Sequence, residues 1–171
     1  LKSTTEQRDR LQAEHDQAAT AKKADGDRQE RQRGALSSKL DKFVKKGSAA
    51  VAVHDGALVV AFDAALLFVP QKLDLSPTGR QLLCDAVKSG EAKSVTVRAS
   101  LAEGSTAPAA LAKIYPAPWV LSAVRAAAVA QGLQNACAVP ATELRATGVV
   151  SREAPPGFKV TGDRVELELG H

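Results

Sequence analysis

The sequence predicts an α/β (α+β) two-layer sandwich: a mixed sheet with helices on one face, preceded by an N-terminal helical or coiled-coil stalk. Three observations predict it. Strand-like alternation recurs over 49–62, 94–100, 143–149 and 158–169; two proline-led amphipathic segments, 76–88 and 116–134, separate those strands; and the first 46 residues hold almost no strong hydrophobes. The resulting order is β-α-β-α-β-β. Each crossover helix must bury its apolar stripe against the sheet it connects, which collects the helices on one face. At 171 residues the chain accommodates one domain with a proper core plus an extension. We divide it into a stalk, 1–46, and a globular domain, 47–171.

The stalk is rich in Gln, Ala, Glu, Lys and Arg, a composition that favours a long helix. Leu11 and Ala18 lie a heptad apart, while Asp25-Gly26-Asp27 falls at the next seam position and predicts a weak or broken first half. Leu36, Leu40, Phe43 and Val44 restore an apolar stripe, which either dimerises or docks on the domain. Intrinsic disorder over 1–34 is the competing expectation. Lys45-Lys46-Gly47-Ser48 supplies C-terminal cations and a glycine stop.

Within the domain, 49–62 reads as a strand split by the tight turn His54-Asp55-Gly56. Ser76 is the expected N-cap and Pro77 the first-turn residue of a helix with Leu82, Leu83, Ala86 and Val87 inward. Val95, Val97 and Ala99 alternate against Thr96 and Arg98 in a half-buried strand, and 101–114 reads as a loop with at most one helical turn. The second helix follows Pro116 and Pro118, with Leu121, Val124, Ala128 and Leu133 as its buried stripe, and is expected to break at Asn135 to Pro140. A third strand covers 143–149, and a proline-bearing loop covers 151–157. The segment 158–169 reads as a hairpin turned at Thr161-Gly162-Asp163.

Charge narrows the function. The formal net charge is +4, and residues 1–46 carry all of it, with 12 Lys or Arg against 8 Asp or Glu. There the signs are interspersed and no aromatic precedes Phe43, so a solvated helix face is expected and nucleic-acid binding is not. The longest apolar stretch, 57–70, contains Asp63 and falls short of the ~20 residues that span a bilayer. Any membrane attachment is therefore expected through a segment absent from this chain, which opens at Leu1 without an initiator methionine and reads as a processed or excised fragment.

Catalysis finds no support in motif or spacing. His15 and His171 lie in terminal segments, His54 lies beside a turn, and no Ser or Cys sits in a nucleophile motif. We expect no enzyme, no cofactor and no metal. Cys84 and Cys137 are too far apart in sequence for a CxxC site and read either as two small buried hydrophobes or, in an oxidising compartment, as a disulfide.

Several motifs together resemble the OmpA/MotB-like peptidoglycan-associating domain. Asp55-Gly56-Ala57-Leu58-Val59-Val60 followed by Phe68 is similar to the family's opening strand, and Leu75-Ser76-Pro77-Thr78-Gly79 followed by Leu82-Leu83 to its first helix start. Leu121-Ser122-Ala123-Val124-Arg125-Ala126 matches its LS-x-x-RA. Gly148 and then Pro155 take the place of its G-x-G…P loop, and Arg164-Val165-Glu166-Leu167 resembles its terminal R-V-E-I strand. The resemblance spans about 50–169 in the order derived above.

The resemblance implies a non-catalytic anchor in the periplasm or cell envelope of a Gram-negative bacterium, associated with the outer membrane. Its partner is the diaminopimelate of the peptidoglycan stem peptide. Diaminopimelate is zwitterionic, so a receptor needs donors for its carboxylate and an acceptor for its ammonium. Arg125, with its planar fork near a helix N-terminus, is the implied carboxylate donor. Ser122 and the backbone of Ser100, Leu101 and Glu103 complete the candidate set. One departure stands out: where the family carries Gly-His-Thr-Asp, this chain has Ala99-Ser100-Leu101-Ala102, so Ala102 replaces the aspartate that pairs with the ammonium. Glu103, one position on, is the candidate substitute, and weak binding is expected. Outside the family resemblance, Arg125 reads as a surface arginine paired with a carboxylate such as Glu143, and Trp119 as a core cap or a stacking residue near the site. The alternative function is a degenerate domain that has lost peptidoglycan and serves as a protein-interaction or dimerisation scaffold, with a homodimer forming through the stalk.

Overall fold

The computed structural model describes residues 2–151, 158, 160 and 162–170. Helix α1 (Lys2–Lys39) is continuous through Gly26, so the expected break does not occur; a single glycine costs a helix only ~1 kcal/mol. Residues 6–27 are all exposed, whereas Gln29, Gln32, Leu36 and Leu40 form a buried seam at spacings of three and four. The second half of the stalk thus docks on the domain. Gln29 donates to the Gly56 carbonyl, and Gln32 and Arg28 both reach Glu91. A short helix α2 (Asp41–Lys45) follows, and Gly47 turns the chain with φ +74°.

Strands β1 (Ala49–His54) and β2 (Ala57–Asp63) form the expected hairpin, with Asp55 and Gly56 both at positive φ as a two-residue primed turn requires. Asp63 caps the single-turn α3 (Ala64–Leu67) by accepting from the Ala65 amide. Ser76 caps α4 (Pro77–Ser89) by accepting from Gly79, with Pro77 at its start. Then come β3 (Ser94–Ala102), α5 (Ala109–Ile114), α6 (Pro118–Cys137), β4 (Leu144–Ser151) and β5 (Arg164–Gly170).

The sheet order is β1-β2-β5-β3-β4, with β3 and β4 parallel and every other pair antiparallel. β2 and β3 therefore run the same way, and β5 fills the gap between them in the opposite sense. This overturns the hairpin expected over 158–169: both edges of β5 are taken by β2 and β3, and Phe158 and Val160 carry no strand pairing. Thr161, in its expected turn, and the loop around Pro155 lie outside the described residues.

The end of α1, together with α4 and α6, covers one face of the sheet. Leu36, Leu40, Phe62, Leu83, Val97, Val129, Leu133 and Leu167 share that core. Phe158 and Val160 pack on the other face against Ala50, Val59 and Ala61. There Arg164 and Glu166 form a buried ion pair at 2.6 Å, with Arg98 3.7 Å from the same carboxylate.

Two expectations about α6 need correction. The helix runs through Asn135 to Cys137 and ends only at Ala138, which adopts a left-handed φ of +57°. Cys137 is joined to Cys84 of α4 by a disulfide, which holds this last turn against the neighbouring helix. The buried stripe is Leu121, Ser122, Arg125, Ala126, Val129 and Leu133, with Val124 and Ala128 only half-buried. The face is rotated because the arginine points inward, where apolar periodicity alone turns it outward.

Gly148 lies within β4, as the strand reading of 143–149 has it and unlike its place in the family's loop motif, where α6 crosses the strand. A Cβ there would run into the backbone of Ser122 and Ala123. Gly148→Ala is expected to destabilise by about 1–3 kcal/mol through overpacking. Gly34→Ala, in the open on α1, is expected to gain ~0.5–1 kcal/mol instead. Urea unfolding of the two variants checks the contrast.

Candidate functional site

The C-terminal ends of β2 and β3 point the same way, and β5, running opposite, begins beside them. Asp63, Ala102 and Asp163 consequently meet at one end of the sheet, under the first turns of α6. Open α/β sheets commonly bind ligands at this end. A cleft of about 310 Å³ opens there, lined by Asp63, Phe68, Lys72, Thr106, Pro108, Leu111, Arg125 and Asp163, among others.

Arg125 is the centre of the cleft. It sits in the second turn of α6, and its side chain is only 10% exposed. Its Nη1 donates to Asp163 Oδ2 at 2.9 Å, and the guanidinium carbon lies 5.9 Å from the Phe68 ring centroid, a cation–π arrangement. Asp163 is fixed from three sides. Its other carboxylate oxygen accepts from the Ala102 amide at 3.1 Å, and its carbonyl accepts from Ala64 at 2.9 Å. Among the described residues the guanidinium makes no other hydrogen bond, which leaves Nε and Nη2 with N–H groups for an incoming anion.

The other expected site residues are distributed differently. Ser100 is buried in β3, opposite Arg164 in the register; its Oγ has no hydrogen-bond partner among the described residues. Leu101 packs with Leu111 and Leu121 in a small cluster that floors the α5 region. Ser122 is fully buried and donates to the Trp119 carbonyl at 2.9 Å. Glu103 lies exposed in the turn after β3, and none of these four lines the cleft. Trp119 is 65% exposed and neither caps the core nor lines the cleft. Glu143 is not the partner of Arg125; it sits in a turn before β4, while Asp163 occupies the guanidinium.

Sequence reasoning missed Asp163 and Phe68 as site residues. Asp163 read as a turn residue, because its contacts come from 38 and 61 positions away. The one available signal was its place immediately before the Arg164-Val165-Glu166-Leu167 motif.

No family model matches the sequence, and no curated protein does. Solved structures do match the fold. A MotB-like protein from Desulfovibrio vulgaris aligns over 86% of this chain and 95% of its own, with TM-score 0.60 and 19% identity. The structure of the cell wall anchor of the T6SS from Pseudomonas aeruginosa aligns over 81% and 98%, with TM-score 0.61 and 24% identity. This chain shares its fold with both of these proteins. The periplasmic domain of Helicobacter pylori MotB agrees, with TM-score 0.57 and 16% identity over 75% of this chain and 83% of its own. The likeness is one of fold, carried by the whole βαβ arrangement with its inserted strand, since the identities are low throughout. Among the described residues, no cluster of His, Cys, Asp or Glu is arranged to hold a metal.

Proposed function

We propose that this chain is an OmpA/MotB-like domain, a non-catalytic anchor of the periplasm or cell envelope that associates with peptidoglycan, Arg125 taking a carboxylate of the stem-peptide diaminopimelate. The observation that carries the reading is the Arg125 guanidinium, held by Asp163 and Phe68 at the mouth of the cleft with donors left over. Two further facts support it. The structures with this fold include a cell wall anchor and a MotB periplasmic domain. The Cys84–Cys137 disulfide suits an oxidising compartment. No helix among the described residues is long and apolar enough to cross a membrane.

The test is co-sedimentation with purified sacculi. Wild type is expected in the pellet, and Arg125→Ala is expected to lose at least ten-fold in affinity, in line with a charge-assisted hydrogen bond of ~1.5–3 kcal/mol. Arg125→Lys keeps the charge but not the fork, and is expected to fall between them. Circular dichroism melts of each variant separate lost binding from lost fold.

The scaffold reading is favoured by one observation, Ala102 in place of the family aspartate. It would draw on the exposed half of α1, residues 6–27, for a second copy or another partner. A folded wild type that stays in the supernatant supports it and overturns anchoring.

A further inference from the structure

Where the resemblance implies an aspartate at the end of β3 this chain has Ala102, and an aspartate, Asp163, stands just before β5. Asp163 Oδ1 lies 3.1 Å from the Ala102 amide nitrogen, so a carboxylate occupies the neighbourhood of the residue whose own side chain no longer supplies one. The same carboxylate lies 2.9 Å from Arg125 and is 19% exposed, on the wall of the cleft. We propose that Asp163 is the acceptor for the ligand ammonium, a charge partner moved from one strand to another without leaving the site.

The geometry favours a zwitterion over a simple anion. A carboxylate offers about four lone-pair positions, and two are used here, by Ala102 and Arg125. A guanidinium offers five N–H donors, of which Asp163 takes one. An α-amino acid terminus, with its ammonium and carboxylate a few ångströms apart, can therefore lie across the Arg125–Asp163 pair without breaking it. Its ammonium faces Asp163 while its carboxylate faces Nε and Nη2 of Arg125, so the signs alternate around the cluster. A plain dicarboxylate meets Asp163 as a like charge and is repelled. Asp163 thus sets specificity for the amino-bearing end of the ligand, while Arg125 supplies the attraction common to any carboxylate.

This inference rests on the peptidoglycan reading, and its test separates the two. Free meso-diaminopimelate and pimelate, the same carbon chain without the amines, are titrated into the whole chain and followed by NMR. Wild type is expected to prefer diaminopimelate by at least ten-fold. Asp163→Asn keeps an oxygen for the Ala102 amide but removes the charge. It is expected to lose that preference while binding pimelate as well as wild type or better, and adding Ala102→Asp is expected to return it. Wild-type binding to sacculi with an unchanged preference in a folded Asp163→Asn overturns the role of Asp163 and leaves the anchor standing. Should Asp163→Asn not fold, equal affinities of wild type for the two ligands overturn it. Wild type that binds neither sacculi nor diaminopimelate overturns both readings.

Discussion

Alanine at both Leu36 and Leu40 is expected to release α1 from the domain and to lower the unfolding free energy by several kcal/mol. Both side chains are buried almost completely in the main core, at 0% and 1% exposed. A single Leu→Ala change in such a place costs about 2–5 kcal/mol, as lost transfer energy and a residual cavity add. The two are one helical turn apart and share neighbours, so their costs are not expected to sum. Urea unfolding measures the total. Trypsin then locates it: faster cutting at Arg31, Arg33 and Lys39 with a protected sheet indicates undocking, and cutting throughout indicates global loss. Leu11→Ala lies on the same helix but is 66% exposed, and is expected to stay within about 0.5 kcal/mol of wild type. Equal effects from Leu11 and from the Leu36/Leu40 pair would contradict the docked arrangement.

Serine at Cys84 and Cys137 is the second large effect. The bridge ties α4 to the last residue of α6 across 53 positions of sequence, with Cα atoms 5.1 Å apart. Loop-closure entropy for a loop of that size gives about 4 kcal/mol of stabilisation, most of it through the unfolded chain. The double variant, or wild type under a strong reductant, is expected to show a matching fall in the urea midpoint and little change in secondary structure. The end of α6 is where local opening should rise first, since Ala138 closes the helix in a left-handed conformation. Amide hydrogen exchange over 133–139 reads this directly.

Local chemistry was legible where local residues decide the outcome. Ser76 and Pro77 announced α4, Asp55 and Gly56 announced the first hairpin, and Arg125 stood out as a lone cation on a small, apolar helix. What could not be read depended on distant parts of the chain. Gln29 and Gln32 continue the docking seam with amide hydrogen bonds, so a search for apolar periodicity started the seam at Leu36, about two turns late. Alternation in Val165-Glu166-Leu167-Glu168-Leu169 gave the strand but carried no sign that Glu166 is covered. It is 3% exposed and paired with Arg164, because this strand is central and its second face is covered. Asp163 was hidden for the same reason, since its role comes from the strands on either side of β5 and from the helix above them.

The position of β5 also sets an order of events. Among the described strands, β1 and β2 form one block and β3 and β4 another, and only β5 joins them. It is the latest strand in the sequence, and pairing it with β2 closes a separation of about a hundred residues, a high-contact-order step that slows folding. A chain still emerging from synthesis holds Arg125 without its carboxylate partner, on a sheet in two pieces. The cleft exists only after that final strand is seated, so a truncated or half-folded copy has no competence to hold a ligand there.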